Sequence, residues 1–417
     1  MKMTEKKLAT LTAAALVAAS TFAEVTISGV TARQRWPWNN LVDIDFTVAG
    51  AAAGEAYAVD VKATAAGGEK ELCATTFVTE PIAANGSNRI VWDLGADYPN
   101  FQATDMRVSV TVTPFSDASS VYLVVDISGG TAAAKWPVRY TTTAPVHTAG
   151  VEDPCKTTEL WLKRVKAGRG SDGSGSGGGY LSSGNGYYAA HSYVLTNDYY
   201  LGVFELTQAQ CYNISGAYNS SFTVDRATRP VDSITYMNLR NPIFDPASPN
   251  ANVTAGVVSK LRDKAGLKFD LPTEWQWLHA CKAGASGTRY TGASESNTRN
   301  SGNASPPSGY EVTQANWPAD YGTSYVDAYD PNPWGFYGML GNVWEFCLNN
   351  RLSVTQGTEY TDPQGTGAGT NTRYYRGGSW GQAYSGLQSH YGYTSGTYSG
   401  DTRWWYAGAR ICLTVGK

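Results

Sequence analysis

Charge is scarce in this chain. Asp, Glu, Lys and Arg make up 16% of its 417 residues, the formal net charge is -3, and no basic cluster occurs anywhere along it. A protein that grips a phosphate backbone needs a positive stripe or patch, so nucleic acid is excluded as a partner. Histidine is rarer still. His147, His191, His279 and His390 form no close group, which leaves no histidine-rich metal module. The six cysteines, Cys73, Cys155, Cys211, Cys281, Cys347 and Cys412, never stand at a CxxC or finger spacing, and structural zinc is disfavoured. Beyond the first residues, no run approaches the roughly eighteen apolar residues of a membrane span, so none is expected.

The segment that is apolar lies at the start. Lys2, Lys6 and Lys7 precede an apolar run from Leu8 to Ala19 and small residues before Ala23, the order of a secretory signal peptide. Residues 1–23 are expected to be that leader, and the mature protein to be secreted or held at the cell surface. In an oxidising compartment the cysteines can pair, or leave at least one free, buried thiol; spacing alone does not decide between these.

The rest divides in two. From residue 24 to 146 short stretches alternate at period two or run continuously apolar, as in Val25–Ser28, Val42–Val48, Arg107–Val112 and Val121–Val125, punctuated by Gly, Pro, Asn and Asp. That pattern predicts an all-β sandwich, immunoglobulin-like in outline. Trp36, Pro37 and Trp38 read as a strand-capping core cluster, with an exposed contact patch as the alternative. Residues 147–156 read as a linker. Leu160–Val165 is strand-like, and the glycine- and serine-dense stretch Gly168–Gly186 lacks the Gly-Lys-Ser/Thr ending of a phosphate loop and reads as a flexible loop. Three short helices follow. Thr207 with Gln210 caps the first, which Gly216 stops; Val257–Ala265 ends at Gly266; Thr273 with Gln276 caps the third, which runs to Gly284. After Gly284, Gly, Asn, Ser, Pro and aromatics leave only turns and short strands to hold the chain.

Between Trp380 and Ala407 the only charges are Asp401 and Arg403, yet Trp380, Tyr384, Tyr391, Tyr393, Tyr398, Trp404, Trp405 and Tyr406 supply eight aromatics among serines and glycines. Tyrosine and tryptophan carry polar groups that a dry core must satisfy, and they offer large rigid contact area at low entropic cost. The segment reads as a binding surface. Its candidate ligand contacts are Gln382, Tyr384, Ser385, Gln388, His390, Tyr391, Tyr393, Thr394, Tyr398, Asp401, Arg403, Trp404, Trp405 and Tyr406.

Collinear motifs surround it: Tyr199–Ala209, Arg229-Pro230-Val231, Leu271-Pro272-Thr273-Glu274-Trp275 with Cys281-Lys282-Ala283-Gly284, Asn332–Phe346, Arg376-Gly377-Gly378-Ser379-Trp380 and Gly408-Ala409-Arg410. Together they resemble the formylglycine-generating enzyme (sulfatase-modifying factor) family. The resemblance covers residues 157–417 and implies an α+β, C-type-lectin-like C-terminal domain, preceded here by the β-sandwich. Enzymes of that family oxidise a substrate cysteine with a copper-binding cysteine pair placed after the Gly-Gly-Ser motif, and a thiolate pair is what selects copper(I). This chain has Gln382 and Leu387 there, and no cysteine between Cys347 and Cys412. No copper is expected.

Family members also hold calcium through the loop before Gly-Asn-x-Trp-Glu. The matching positions are Gly338, Gly341, Val343 and Glu345, and a second site falls on Asn316, Trp317 and Asp320. Gly338 brings no side-chain oxygen, so calcium is a weak expectation, and the alternative for Glu345 is a buried carboxylate held by backbone amides or Arg410. Trp275, Trp277 and Trp344 read as core, Gly377 and Gly378 as a close backbone approach, and Arg376 as a partner for an internal acid such as Glu345.

A second resemblance is to the variable proteins of diversity-generating retroelements, whose hypervariable residues run from after Gly-Gly-Ser-Trp to before the terminal Gly-x-Arg. Here that window is 381–407. It implies an exported, non-catalytic protein that binds a protein or glycan on another cell, a phage or a host surface. The alternatives are a sulfatase-modifying-type oxidase and a calcium-dependent glycan-binding protein.

Overall fold

The computed structural model describes residues 25–35, 39–51, 54–116, 118–172, 185–186, 188–217, 220–224, 226–245, 253–287, 322–350, 352–365, 373–380, 389, 392–394 and 405–416. The expected leader and the Trp36–Trp38 cluster lie outside these residues.

Alternation builds the first half. Val42, Ile44, Phe46 and Val48 of strand Leu41–Ala49 all point inward and are at most 2% exposed, because a period-two strand turns every second side chain to one face. They meet Val59, Val61 and Ala63 from Tyr57–Ala65, and Ile90 and Trp92 from Gly86–Asp93. Two antiparallel layers result. Thr26–Gln34, Leu41–Ala49, Gly86–Asp93 and Thr76–Phe77 pair in that order, and Tyr57–Ala65 pairs with Lys70–Cys73, Ile82–Ala83 and Arg107–Pro114.

The first layer does not stop there. Thr76–Phe77 pairs with Val138–Thr141, which pairs with Tyr122–Asp126, then Glu159–Val165, Tyr199–Gly202 and Cys412–Thr414, giving one nine-stranded antiparallel sheet through both halves. Leu123, Val125, Ile127 and Trp136 share a core with Leu160, Leu162, Leu206 and Ile411. The hairpin that the sequence assigns to the sandwich therefore packs with the second half, since its apolar face needs a partner that the sandwich does not supply. Glu80 crosses the same junction, accepting from Arg164 and from the Tyr200 hydroxyl.

The expected linker 147–156 is a strap with fixed contacts. His147 Nδ1 lies 3.0 Å from Asp327 Oδ2, Gly150 N donates to Asp327 Oδ1 at 3.2 Å, and the fully buried Lys156 Nζ reaches Asp327 Oδ2 at 2.6 Å. Burial of that ion pair holds the strap down. The glycine-rich stretch also differs from a plain loop in its first part, where Arg169–Asp172 pairs antiparallel with His191–Val194. Residues 173–184 and 187 lie outside the described residues.

The three helices form where their caps place them. Gln208–Ser215 and Glu274–Lys282 begin at Thr207 and Thr273, each hydroxyl accepting the backbone N–H of the glutamine three residues on while that glutamine reaches back. Val257–Ala265 ends at Gly266 in the left-handed region. Trp275, Trp277 and Trp344 are core residues, exposed by 1% or less. All six cysteines are free thiols, five of them buried.

Candidate functional site

The aromatic window is carried by a small sheet whose strand order is Asn185–Gly186, Gly392–Thr394, Tyr374–Arg376, Trp344–Phe346 and Ala407–Gly408. The window's middle is thus an antiparallel neighbour of the Arg-Gly-Gly-Ser segment, and its end runs parallel to the Trp-Glu-Phe segment. Gly341 N donates to the Gly377 carbonyl at 2.9 Å and Trp380 N to the Asn342 carbonyl at 2.9 Å, which tie the window's start to the Gly-Asn-Val-Trp-Glu turn. Gly377 has φ 99°, and a Cβ there would sit 3.2 Å from the Trp277 ring. Glycine is needed for both reasons.

Arg376 is the central fixture. It is fully buried, and it donates from Nη2 to Asp172 Oδ2 at 2.5 Å and to Glu274 Oε2 at 3.3 Å, and from Nη1 to the Ser389 carbonyl at 3.2 Å. The sequence expects Glu345 as its partner. Glu345 instead pairs with Arg410 at 2.8 Å and accepts from Trp277 Nε1 at 2.8 Å, because Arg410 reaches it from across the sheet while Asp172 and Glu274 flank Arg376.

Glu274 carries the most informative titration. Burial pushes its carboxyl up to about 7, Arg376 opposes that rise, and the Asp172 carboxylate adds to it. The Tyr188 hydroxyl at 2.9 Å and Asn349 Nδ2 at 3.0 Å complete its shell. One guanidinium thus faces two carboxylates out of water.

Next to the window's end, Trp380 meets Phe222 edge-on at 5.3 Å and Trp405 at 4.7 Å, and Trp405 meets Tyr406 at 5.5 Å. Trp405 is 47% exposed and neighbouring Val224 of the Phe222 loop is 59% exposed. Such rings present area to solvent while their scaffold stays dry.

Of the candidate ligand contacts, Trp405 and Tyr406 lie at this edge, and Tyr393 and Thr394 lie on the paired strand. Gln382, Tyr384, Ser385, Gln388, His390, Tyr391, Tyr398, Asp401, Arg403 and Trp404 are outside the described residues, as are Asn316, Trp317 and Asp320. Sequence reasoning missed Phe222, Val224 and the buried Glu205, whose Oε2 accepts from Asn342 Nδ2 at 2.7 Å. Only Glu205's place within the Phe-Glu-Leu-Thr motif hinted at it.

The donors around Glu345 do not fit calcium. Both carboxylate oxygens already accept from the Arg410 guanidinium, which sits where a second cation would be repelled, and Gly338 brings no side-chain oxygen. The five buried thiols are poor nucleophiles: burial raises Cys155 to about 12 and Cys211 to about 11, and also pushes Cys281, Cys347 and Cys412 up.

Residues 165–411 match the family described as sulfatase-modifying factor enzyme 1-like domain. A formylglycine-generating enzyme of Thermomonospora curvata is 33% identical over 114 residues, 26% of this chain and 37% of that protein. The Chaperone protein LppX of Paenibacillus barcinonensis is 28% identical over 201 residues, 41% of this chain and 68% of that protein. The matched stretch spans little more than a third of the formylglycine-generating enzyme. Among solved structures the chain is similar to Treponema denticola variable protein 1, with 21% identity and a TM-score of 0.44 over 65% of this chain and 99% of that one. PvdO from Pseudomonas aeruginosa is similar at 16% identity and a TM-score of 0.45, over 65% and 100%.

Proposed function

This chain belongs to the sulfatase-modifying factor enzyme 1-like family, and we propose that it is a non-catalytic member: an exported ligand-binding protein whose window 381–407 is a replaceable contact surface of the diversity-generating kind. The observation that carries the reading is the division of labour at the window. Trp380 N donates to the Asn342 carbonyl, Trp344 N donates to the Tyr406 carbonyl, and the Arg376 guanidinium holds the Ser389 carbonyl, so each of these ties uses a main-chain atom of the window or its flank rather than a window side chain. Tyr, Ser, Gly, Thr, His and Asp within the window are what adenine-directed mutation of asparagine codons yields, whereas Gln382, Gln388, Trp404 and Trp405 belong to the fixed template. Gln382 and Leu387 stand where the family's enzymes carry their cysteine pair, which removes the oxidation chemistry. Hot-spot energetics favour a few aromatic anchors among small polar residues, the composition found here.

Replacing the side chains of 382–388 and 395–404 by serine and glycine, with Ser389 and 392–394 kept, tests this. Capture of ligand from an array of glycans and surface proteins is expected to vanish while the melting temperature stays within a few degrees. Unfolding of the variant, or oxygen- and copper-dependent conversion of a sulfatase-derived cysteine peptide by the native chain, overturns it.

A further inference from the structure

The structure holds a cleft of about 700 Å³ whose lining, among the described residues, includes none of the 381–407 window. The buried Leu195, Leu271 and Leu348 form its aliphatic floor, and Thr273 and Gln276 at the start of helix Glu274–Lys282 and the segment Asp362–Gln364 also line it. That volume is within the range of small-molecule sites. Among the described residues no aromatic ring lines it, so the described lining offers a ligand no stacking partner.

Its charges are unequal in what they have left to give. Asp270 is saturated by Arg240 Nε at 2.8 Å, Arg262 Nη2 at 2.8 Å and Leu271 N at 2.9 Å, and Asp362 by the backbone and hydroxyl of Thr196. The cations are not saturated. Arg262 spends Nε on the Phe269 carbonyl and Nη2 on Asp270, which leaves its Nη1 group, and the exposed Lys268 makes no hydrogen bond or ion pair among the described residues. Both line the cleft. Asn197, Gln364 and Thr414 add neutral amide and hydroxyl groups around them.

Excess cationic donors, a rim of amides and hydroxyls, and an aliphatic floor describe a receptor for an anion that also carries many hydroxyls. We propose that this cleft binds an acidic saccharide, through Lys268 and Arg262 for its carboxylate or sulfate, and Asn197, Gln364 and Thr414 for its hydroxyls. The leucines pack against its C–H face. This site is independent of the window reading.

The full chain is titrated by calorimetry with glucuronic acid, N-acetylglucosamine 6-sulfate, glucose and inorganic sulfate. Both acidic sugars are expected to bind, glucose and inorganic sulfate each about tenfold more weakly or less. Lys268→Glu, which breaks no bond of the fold, is expected to weaken the acidic sugars about tenfold or more with an unchanged melting temperature. The window-replaced variant is expected to bind them as the native chain does. Failure of both acidic sugars to bind, an unchanged affinity in Lys268→Glu, or inorganic sulfate binding as tightly as the sugars would each overturn the proposal. Binding of only one acidic sugar supports it and identifies which anionic group the cleft accepts.

Discussion

Arg376 Nη1 donates to the Ser389 carbonyl at 3.2 Å, which ties the middle of the window to a side chain buried in the scaffold. Ser389 is 0% exposed, and three residues on, Gly392 lies under Tyr374 in the neighbouring strand. On the proposed reading, the window is two replaceable stretches on either side of a fixed joint.

That joint makes a prediction about tolerance. A Cβ on Gly392 would fall 1.9 Å from the Tyr374 hydroxyl, and Tyr374 is itself buried and packed, so neither side can give way easily. Gly392→Ala is expected to cost about 1–3 kcal/mol in urea unfolding, the usual range for overpacking. Tyr384→Ser and Tyr398→Ser, in the replaceable stretches, are expected to change stability by less than about 0.5 kcal/mol. Equal losses at all three positions would contradict the division.

The thiols give a simpler test. Cys73 is the exposed one, and the other five are buried with thiols raised above their ordinary range where a shift is resolved. A thiol reagent at pH 8 is expected to label one cysteine rapidly in the native chain and six after denaturation without reductant. Fewer than six in the denatured chain would mean that a disulfide forms.

The strap offers a double-mutant cycle. Lys156 and Asp327 have side chains fully out of solvent, with Thr148 and His147 completing the contacts. Asp327→Ala leaves the buried Lys156 with only the longer Asp153 pair at 3.4 Å and the Thr148 carbonyl, and is expected to cost up to about 3–5 kcal/mol. Replacing the pair together, Lys156→Met with Asp327→Leu, is expected to recover most of that loss. Additive losses in the double variant would show that the two side chains do not act as a pair.

Local signals were legible in the sequence, and long-range ones were not. The capping boxes at Thr207 and Thr273 and the alternation over Val42–Val48 depend on residues within one turn or one strand, so they appear in the sequence as spacing. The pairing of Arg376 with Asp172 depends on chain segments 204 residues apart, and nothing local distinguishes Asp172 from any acid in a glycine-rich stretch. The strand Tyr122–Asp126 and its partner Val138–Thr141 read as part of the sandwich for the same reason. Their residues read as strand, and which core they join is decided by shape.

Glu274 makes stability depend on pH in an unusual direction. Its folded-state carboxyl titrates near 7 against an ordinary value of 4.5, so between those values the native chain holds a proton that the unfolded chain has lost. Stability from this group is complete below about pH 4.5, falls as pH rises toward 7, and is lost above it, the reverse of a salt-bridged acid. Glu274→Gln keeps the shape of the protonated form, so it is expected to be more stable than the native chain at pH 8, by on the order of 1–3 kcal/mol. At pH 5 the two are expected to differ little. Asp172 still pairs with Arg376 in the variant, so the grip on Ser389 is kept. Urea midpoints of both proteins at pH 5 and pH 8 decide the point, and a variant less stable at pH 8 than at pH 5, relative to native, would show that Glu274 works as a charged partner of Arg376.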